Sequence, residues 1–148
     1  MTDVILRKAV LSDIEEIARI EEVSIAHPWS EDELRDLVES DRKTAIVACV
    51  DDKIAGYIGA SFLLDEAEIG NICVTPGLRG KGIGKKLLKA LIEEMKNHDV
   101  EKIFLEVEST NTAAINLYEG EGFESYNTRK DYYGLRRDAV LYRLFIKS

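Results

Sequence analysis

The apolar positions along this chain follow two spacings, every second residue in some stretches and every third or fourth in others. VILRKA (residues 4–9) predicts a first strand. Ser12 predicts a helix start, with Glu15 three residues on as its capping-box partner. Ile14, Ile17, Ala18 and Glu21 follow at helical spacing. Pro28 breaks the chain within HPWSEDEL, and a second helix restarts at Ser30 with its own box partner, Glu33. Leu34, Leu37 and Val38 form its apolar stripe. TAIVACV and KIAGYIGASFLL predict two strands joined by the tight turn Asp51–Asp52–Lys53, and AEIGNICVT predicts a third in a row. A helix over 82–97 follows, with Ile83, Leu87, Leu88, Leu91, Ile92 and Met95 on one face. KIFLEVE is the next strand. Asn111 then caps a short helix that ends at Gly122, read as a left-handed C-terminal residue. FESYNTRKDYY and DAVLYRLFI predict two last strands, antiparallel to each other.

The order β-α-α-β-β-β-α-β-α-β-β describes an α/β (α+β, mixed-sheet) protein with a strand–glycine loop–helix unit at its middle. There is no repeat and no Pro/Gly/Ser-rich linker, so residues 1–148 are expected to form one domain. Asp3 and Arg7 interrupt the N-terminus before any long apolar run. No stretch nears the roughly 20 apolar residues that span a bilayer. The expectation is a cytoplasmic protein with no membrane partner. Cys49 and Cys73 lie far apart in apolar strands and are expected as buried, reduced thiols, with neither a disulfide nor a metal site. His27 and His98 are scattered and expected at the surface, not as metal ligands.

Charge changes the picture at one place. The formal net charge is −8, which argues against nucleic acid as a partner and favours a cationic one, such as an amine or a basic peptide. Yet Arg79 to Lys89 holds five basic residues and no acid, just where Gly77, Gly80, Gly82 and Gly84 precede a helix. A helix N-terminus presents unpaired N–H groups and the positive end of its dipole, and glycines let phosphate oxygens reach the backbone. The stretch therefore reads as a polyphosphate cradle. A Walker A loop fails because Lys86 stands where Ser or Thr is needed, and a Rossmann fingerprint fails because Lys85 stands at its third glycine. A glycine-rich turn ahead of a solvated basic helix face is the other reading of the same residues.

Arg79-Gly80-Lys81-Gly82-Ile83-Gly84 matches the [QR]-x-x-G-x-[GA] signature, and the chain resembles the GNAT N-acetyltransferases over its whole length. HPWSEDEL, DEAEIGNICV, FLEVESTNTAAINLYEGEGF and RKDYYGLRRDAVLY together resemble its RimI branch, the ribosomal-protein-alanine acetyltransferases, and related archaeal N-terminal acetyltransferases. The resemblance implies a GNAT fold and transfer of acetyl from acetyl-CoA to the α-amine of a protein N-terminus, with no metal. Ribosomal protein S18, through an N-terminal alanine, is the first implied acceptor. A broader archaeal-type, small-amine or lysine acetyltransferase and a non-catalytic acetyl-CoA sensor are the alternatives. Residue by residue, it implies that the main chain of Ile72, Cys73 and Val74 lines the pantetheine and acetyl carbonyl. Arg79, Gly80, Lys81, Gly82, Ile83, Gly84 and Lys85 would hold the pyrophosphate, and Asn111 would contact CoA. Glu106 matches the family's general base and Tyr118 its general acid.

Pattern alone makes Glu106 a solvent-facing strand carboxylate and Tyr118 a half-buried core aromatic. The resemblance turns both toward catalysis. Glu68, near the start of the central strand, is a rival base or an amine-binding group. Trp29 borders the peptide groove in the resembled family, and Tyr132 and Tyr133 match its aromatic pair over the substrate. Gly120 and Glu121 depart from the family pattern, as does the short basic loop GLRRDA.

Overall fold

The computed structural model describes residues 3–24 and 28–146. Its strands are β1 (Val4–Lys8), β2 (Lys43–Val50), β3 (Lys53–Leu63), β4 (Glu66–Val74), β5 (Lys102–Glu108), β6 (Glu124–Arg129) and β7 (Ala139–Phe145). Its helices are α1 (Ile14–Ser24), α2 (Glu31–Glu39), α3 (Ile83–Asn97) and α4 (Thr112–Gly120). The order of strands and helices is the one the sequence predicts. His27 lies outside the described residues.

One mixed sheet runs in the order β1-β2-β3-β4-β5-β7-β6. Every neighbouring pair is antiparallel except β4 and β5. Helices α1 and α2 cover one face, packing Ile17, Leu34 and Leu37 against Val47, Tyr57 and Cys73. Helix α3 covers the other, with Leu87, Leu88, Leu91 and Met95 fully buried against Ile58, Ile103 and Leu105. The alternation along β5 divides it between these faces: Ile103, Leu105 and Val107 join the α3 core, and Phe104, Glu106 and Glu108 stand half-buried on the opposite side.

Local chemistry sets the joints. Asp51 and Asp52 take φ of 52° and 64°, the left-handed pair of a two-residue hairpin turn. The Ser30 hydroxyl accepts from the Glu33 N–H at 3.1 Å, and the Glu33 carboxylate accepts from the Ser30 N–H at 3.1 Å, closing the predicted box. Gly122 is left-handed as expected, with φ of 95°. The departures at the end of α4 are accommodated: Glu121 pairs with Lys89 at 3.3 Å, and Glu119 accepts from the Tyr142 hydroxyl at 2.8 Å.

Three expectations need correction. Ser12 and Glu15 do not open α1; a 3-10 turn over Leu11–Asp13 precedes it. There Asp13 accepts from the Val10 N–H at 2.8 Å and takes both ends of the Arg7 guanidinium at 2.7 and 2.9 Å. A buried carboxylate with a cation on β1 outcompetes an exposed serine box. Strand β6 stops at Arg129, so Tyr132 and Tyr133 sit in the loop to β7. Cys49 is half-buried where full burial was expected; both cysteines are free.

Candidate active site at the splay of two parallel strands

β4 and β5 pair only through Glu66–Glu68 and Lys102–Phe104, and then diverge. A bulge accompanies the divergence: Gly59 lies opposite Asn71 and Ala60 opposite Ile69, which leaves Gly70 as the extra residue of β4. Past this point the edge of β4 that faced β5 has no strand partner among the described residues.

On the α3 side the divergence opens a cleft of about 590 Å³. Ile72, Cys73 and Val74 form one wall, Arg79, Gly80, Gly82, Ile83, Gly84 and Lys85 its end, and Asn111, Ala114 and Leu117 the other wall. Gly80 and Gly82 take φ of 78° and 82°, and open space surrounds the place of a Cβ at each, so the backbone conformation is what demands glycine. Gly82 is the N-cap of α3 and supplies no side-chain cap. The first bond back to it comes from the Lys86 N–H at 3.1 Å, which leaves the N–H groups of Ile83, Gly84 and Lys85 without intrahelical acceptors. That end of the cleft suits an anion. Lys85 lines it and Lys81 does not. Arg79 turns back, its Nε donating to the Val74 carbonyl at 3.0 Å, so it braces the loop on β4. Asn111 accepts from the Ala114 N–H at 3.2 Å and so caps α4 from the cleft's rim.

Tyr118, on α4, is 5% exposed and packs edge to face on Phe123 at 5.7 Å. Burial pushes its phenol well above the usual tyrosine range, with Cys73 adding to the effect. The phenol is thus held protonated beside the end of β4. Burial, reinforced by the charge of Glu21, pushes the Cys73 thiol up to about 12, which makes it a neutral packing group and not a nucleophile.

The opposite face of the splay holds a second groove of about 360 Å³, lined by Glu66, Glu68, Phe104, Glu106, Tyr126 and Arg129 among others. Glu68 and Glu106, the two rival carboxylates, share it. Burial raises the Tyr133 phenol, and Glu106 and then Tyr132 and Glu108 raise it further, so this loop tyrosine stands near the catalytic-candidate carboxylate. Tyr132 lies edge to face with Tyr133 at 5.2 Å and carries the Arg129 guanidinium at 5.5 Å. On β4, a Cβ at Gly70 would meet the Trp29 ring at 2.8 and 3.1 Å; the indole rests directly on the bulge.

Several neighbours of the site escaped the sequence reading. Glu21 has a visible signal, a carboxylate on the apolar stripe of α1. Asn71, Tyr57 and the Arg137–Glu108 pair have none, because their meaning depends on strands far apart in the chain. Among the described residues, no group of three or more His, Cys, Asp or Glu side chains could hold a metal, and no helix is long and apolar enough to cross a membrane.

The model of the acetyltransferase (GNAT) family matches residues 11–123. The ribosomal protein bS18-alanine N-acetyltransferase of Salmonella typhimurium is 35% identical over 122 residues, 82% of each chain. The crystal structure of the ribosomal-protein-S18-alanine N-acetyltransferase from Escherichia coli superposes with a TM-score of 0.90 at 31% identity, covering 99% of this chain and 96% of that one. Ard1 from Thermoplasma volcanium shares the fold, with a TM-score of 0.89 at 24% identity over 98% of this chain and 99% of that one. Signature, splayed strands and relatives agree: this chain belongs to the GNAT family and is an acetyl-CoA-dependent N-acetyltransferase.

Proposed function

We propose that this enzyme acetylates the N-terminal α-amine of a protein, with the N-terminal alanine of ribosomal protein S18 as the first candidate acceptor. The observation that carries the reading is the two-sided splay. On one face opens a cleft walled by α4, the helix that also carries the buried, protonated Tyr118, and on the other a carboxylate groove, where among the described residues the backbone of β4 has no strand partner. The relatives' named acceptor supports the choice of protein. Such an acceptor, together with two free cysteines, fits a cytoplasmic enzyme.

The N–H groups of Ile83, Gly84 and Lys85 and the Lys85 ammonium hold the pyrophosphate of acetyl-CoA. The main chain of Ile72, Cys73 and Val74 lines the pantetheine and offers a hydrogen bond to the thioester oxygen. An α-amine with a pKa near 8 is partly protonated at neutral pH, and only its neutral form attacks. Glu106 takes that proton, directly or through water, with Glu68 as the second carboxylate of the groove. The amine nitrogen bonds to the acetyl carbon, the carbon–sulfur bond breaks, Tyr118 gives its proton to the departing thiolate, and the second proton that the nitrogen loses on becoming an amide goes to solvent, from which the Tyr118 phenolate regains its own. Direct transfer in a ternary complex needs no covalent enzyme intermediate.

The test is CoA release with mass spectrometry of the products. The panel holds peptides with free N-terminal Ala, Ser or Met, the same peptides blocked and carrying an internal Lys, and small polyamines. Acetylation confined to free N-termini with a bias for Ala is expected. Turnover on internal Lys or polyamines alone would overturn the acceptor, and acetyl-CoA binding without turnover on any acceptor would overturn the reaction.

A further inference from the structure

Glu21 is the polar side chain most deeply enclosed in the described structure, with 0% exposure, and the transfer chemistry does not use it. Three donors from three separate elements converge on it. Its Oε1 accepts from the backbone N–H of Trp29 at 2.9 Å, in the connection between α1 and α2. Its Oε2 accepts from the Tyr57 hydroxyl on β3 and from Asn71 Nδ2 on β4, the latter at 2.8 Å. An apolar side chain would fill this place on the α1 stripe at no desolvation cost. A buried carboxylate there is tolerated only while its donors reach it, since an unpaired buried charge is strongly destabilising. The three donors are therefore held in one arrangement or lost together.

What they hold lies at the splay. Asn71 follows Gly70 in the bulge, and Ile72 and Cys73 follow Asn71 into the wall of the cleft. Trp29, whose backbone N–H is gripped by Glu21, sets its indole on Gly70 on the α1–α2 face of the sheet, the face that also carries the carboxylate groove. One side chain thus joins the indole above the bulge to the strand beneath it. We propose that Glu21 is a positioning residue for the amine-accepting side of the site, fixing Trp29 and the β4 bulge as the wall against which the acceptor's first residue lies. This rests on the transfer reading above, in which the acceptor enters on that face.

Trp29 is the sole tryptophan of the chain, so its emission reports the wall directly and without turnover. The experiment compares wild type with Glu21→Gln, which keeps the shape and removes the charge, and with Tyr57→Phe, which keeps the carboxylate and removes one donor. Steady-state kinetics use acetyl-CoA and an N-terminal Ala peptide. Expected is a rise in peptide KM of about tenfold in Glu21→Gln and a smaller one in Tyr57→Phe. The acetyl-CoA Kd should stay within about twofold, and Trp29 emission should shift to the red with stronger acrylamide quenching. Unchanged peptide KM and emission in folded protein would overturn the proposal, as would an equal weakening of peptide and acetyl-CoA. If Glu21→Gln does not fold, Tyr57→Phe decides by the same readouts. If wild type acetylates no peptide, the transfer reading fails by itself, and the emission of the variants still decides whether Glu21 sets the Trp29 wall.

Discussion

Arg137 grips one oxygen of Glu108 through both Nε and a terminal nitrogen, each at 2.5 Å, and so ties the β6–β7 loop to β5 two residues from Glu106. The loop that bears Tyr132 and Tyr133 is held from inside as well. The Tyr133 N–H donates to the Arg137 carbonyl at 3.0 Å, and Asp131 accepts from the Arg136 N–H at 2.6 Å. The basic GLRRDA segment thereby spends one arginine on a strap from this loop to the end of β5.

Cutting that strap should affect the acceptor and spare the cosubstrate. Arg137→Ala is expected to raise peptide KM about two- to fivefold, a modest effect because the pair is partly exposed, with acetyl-CoA Kd unchanged. The exchange Glu108→Arg with Arg137→Glu should restore part of it. The pH sense follows from Glu108, whose carboxyl is held below the usual range by the Thr110 hydroxyl and then by Arg137. The strap is fully present above the ordinary glutamate pKa of about 4.3 and is lost as pH falls through the lowered value. A peptide KM in Arg137→Ala equal to wild type would show that the loop holds without it.

Glu106→Gln should lower kcat/KM about 100-fold, with acetyl-CoA binding intact. The deficit should be largest at low pH, where the amine carries a proton that the carboxylate must take, and should shrink above the amine's pKa of about 8. Glu68→Gln, in the same groove, serves as the comparison and should cost less. A pH–rate profile for Glu106→Gln parallel to wild type would remove Glu106 as the base and move the role to Glu68.

How much of this site could be read in the chain depended on how local each feature is. The glycine loop and the Asn111 cap are local patterns that the residues themselves display, whereas Glu106 and Tyr118 came forward only through the resemblance to the GNAT family. The Ser30–Glu33 box and the alternation of β5 are equally local and are found as expected. The splay itself was not legible, because it arises where β4 and β5, whose paired residues lie 36 positions apart in the chain, stop pairing after Glu68 and Phe104. Glu21 and Arg137 gain their roles from partners on other strands, and no spacing rule points to such pairs. The missed start of α1 has the same origin: Asp13 draws on Arg7 of β1, a partner outside the helix that Ser12 was expected to cap.

Tyr118→Phe should preserve acetyl-CoA binding while lowering kcat about 10- to 100-fold, the share of a single general acid. The phenyl ring keeps the contact with Phe123, so thermal stability should move little. Isothermal titration with acetyl-CoA, set beside single-turnover rates, separates the two effects. Wild-type turnover in the variant would take Tyr118 out of the mechanism.

Asp13→Asn should destabilise the fold by about 1 kcal/mol at neutral pH, since the side chain serves both Arg7 and the Val10 N–H and Arg7 is itself substantially exposed. The Arg7 hydrogen bonds, with that from Val10 assisting, hold the Asp13 carboxyl below the usual aspartate range. A lowered folded pKa means stability that is present above the unfolded value of about 3.9 and disappears as pH falls through the folded one. Urea titrations of wild type and Asp13→Asn should therefore differ at pH 7 and converge in acid. A difference that stays constant down to the lowest pH would assign the loss to packing instead.

Gly56→Ala tests the wall of the cleft from behind. A Cβ on Gly56 would lie 2.5 Å from the Cys73 carbonyl oxygen and 3.2 Å from the Val74 Cα, both backbone atoms that cannot rotate away. β3 must then move off β4 beneath Ile72–Val74, where the thioester is read to lie. Overpacking of this kind costs about 1–3 kcal/mol, and here the strain falls on the strand that lines the cleft. Both a lowered Tm and a weakened acetyl-CoA Kd are expected. Gly77→Ala, with nothing within 4 Å of its Cβ, should leave both unchanged and controls for glycine loss in general. A Gly56→Ala enzyme that melts early yet binds acetyl-CoA at full strength would separate the β3–β4 contact from the site.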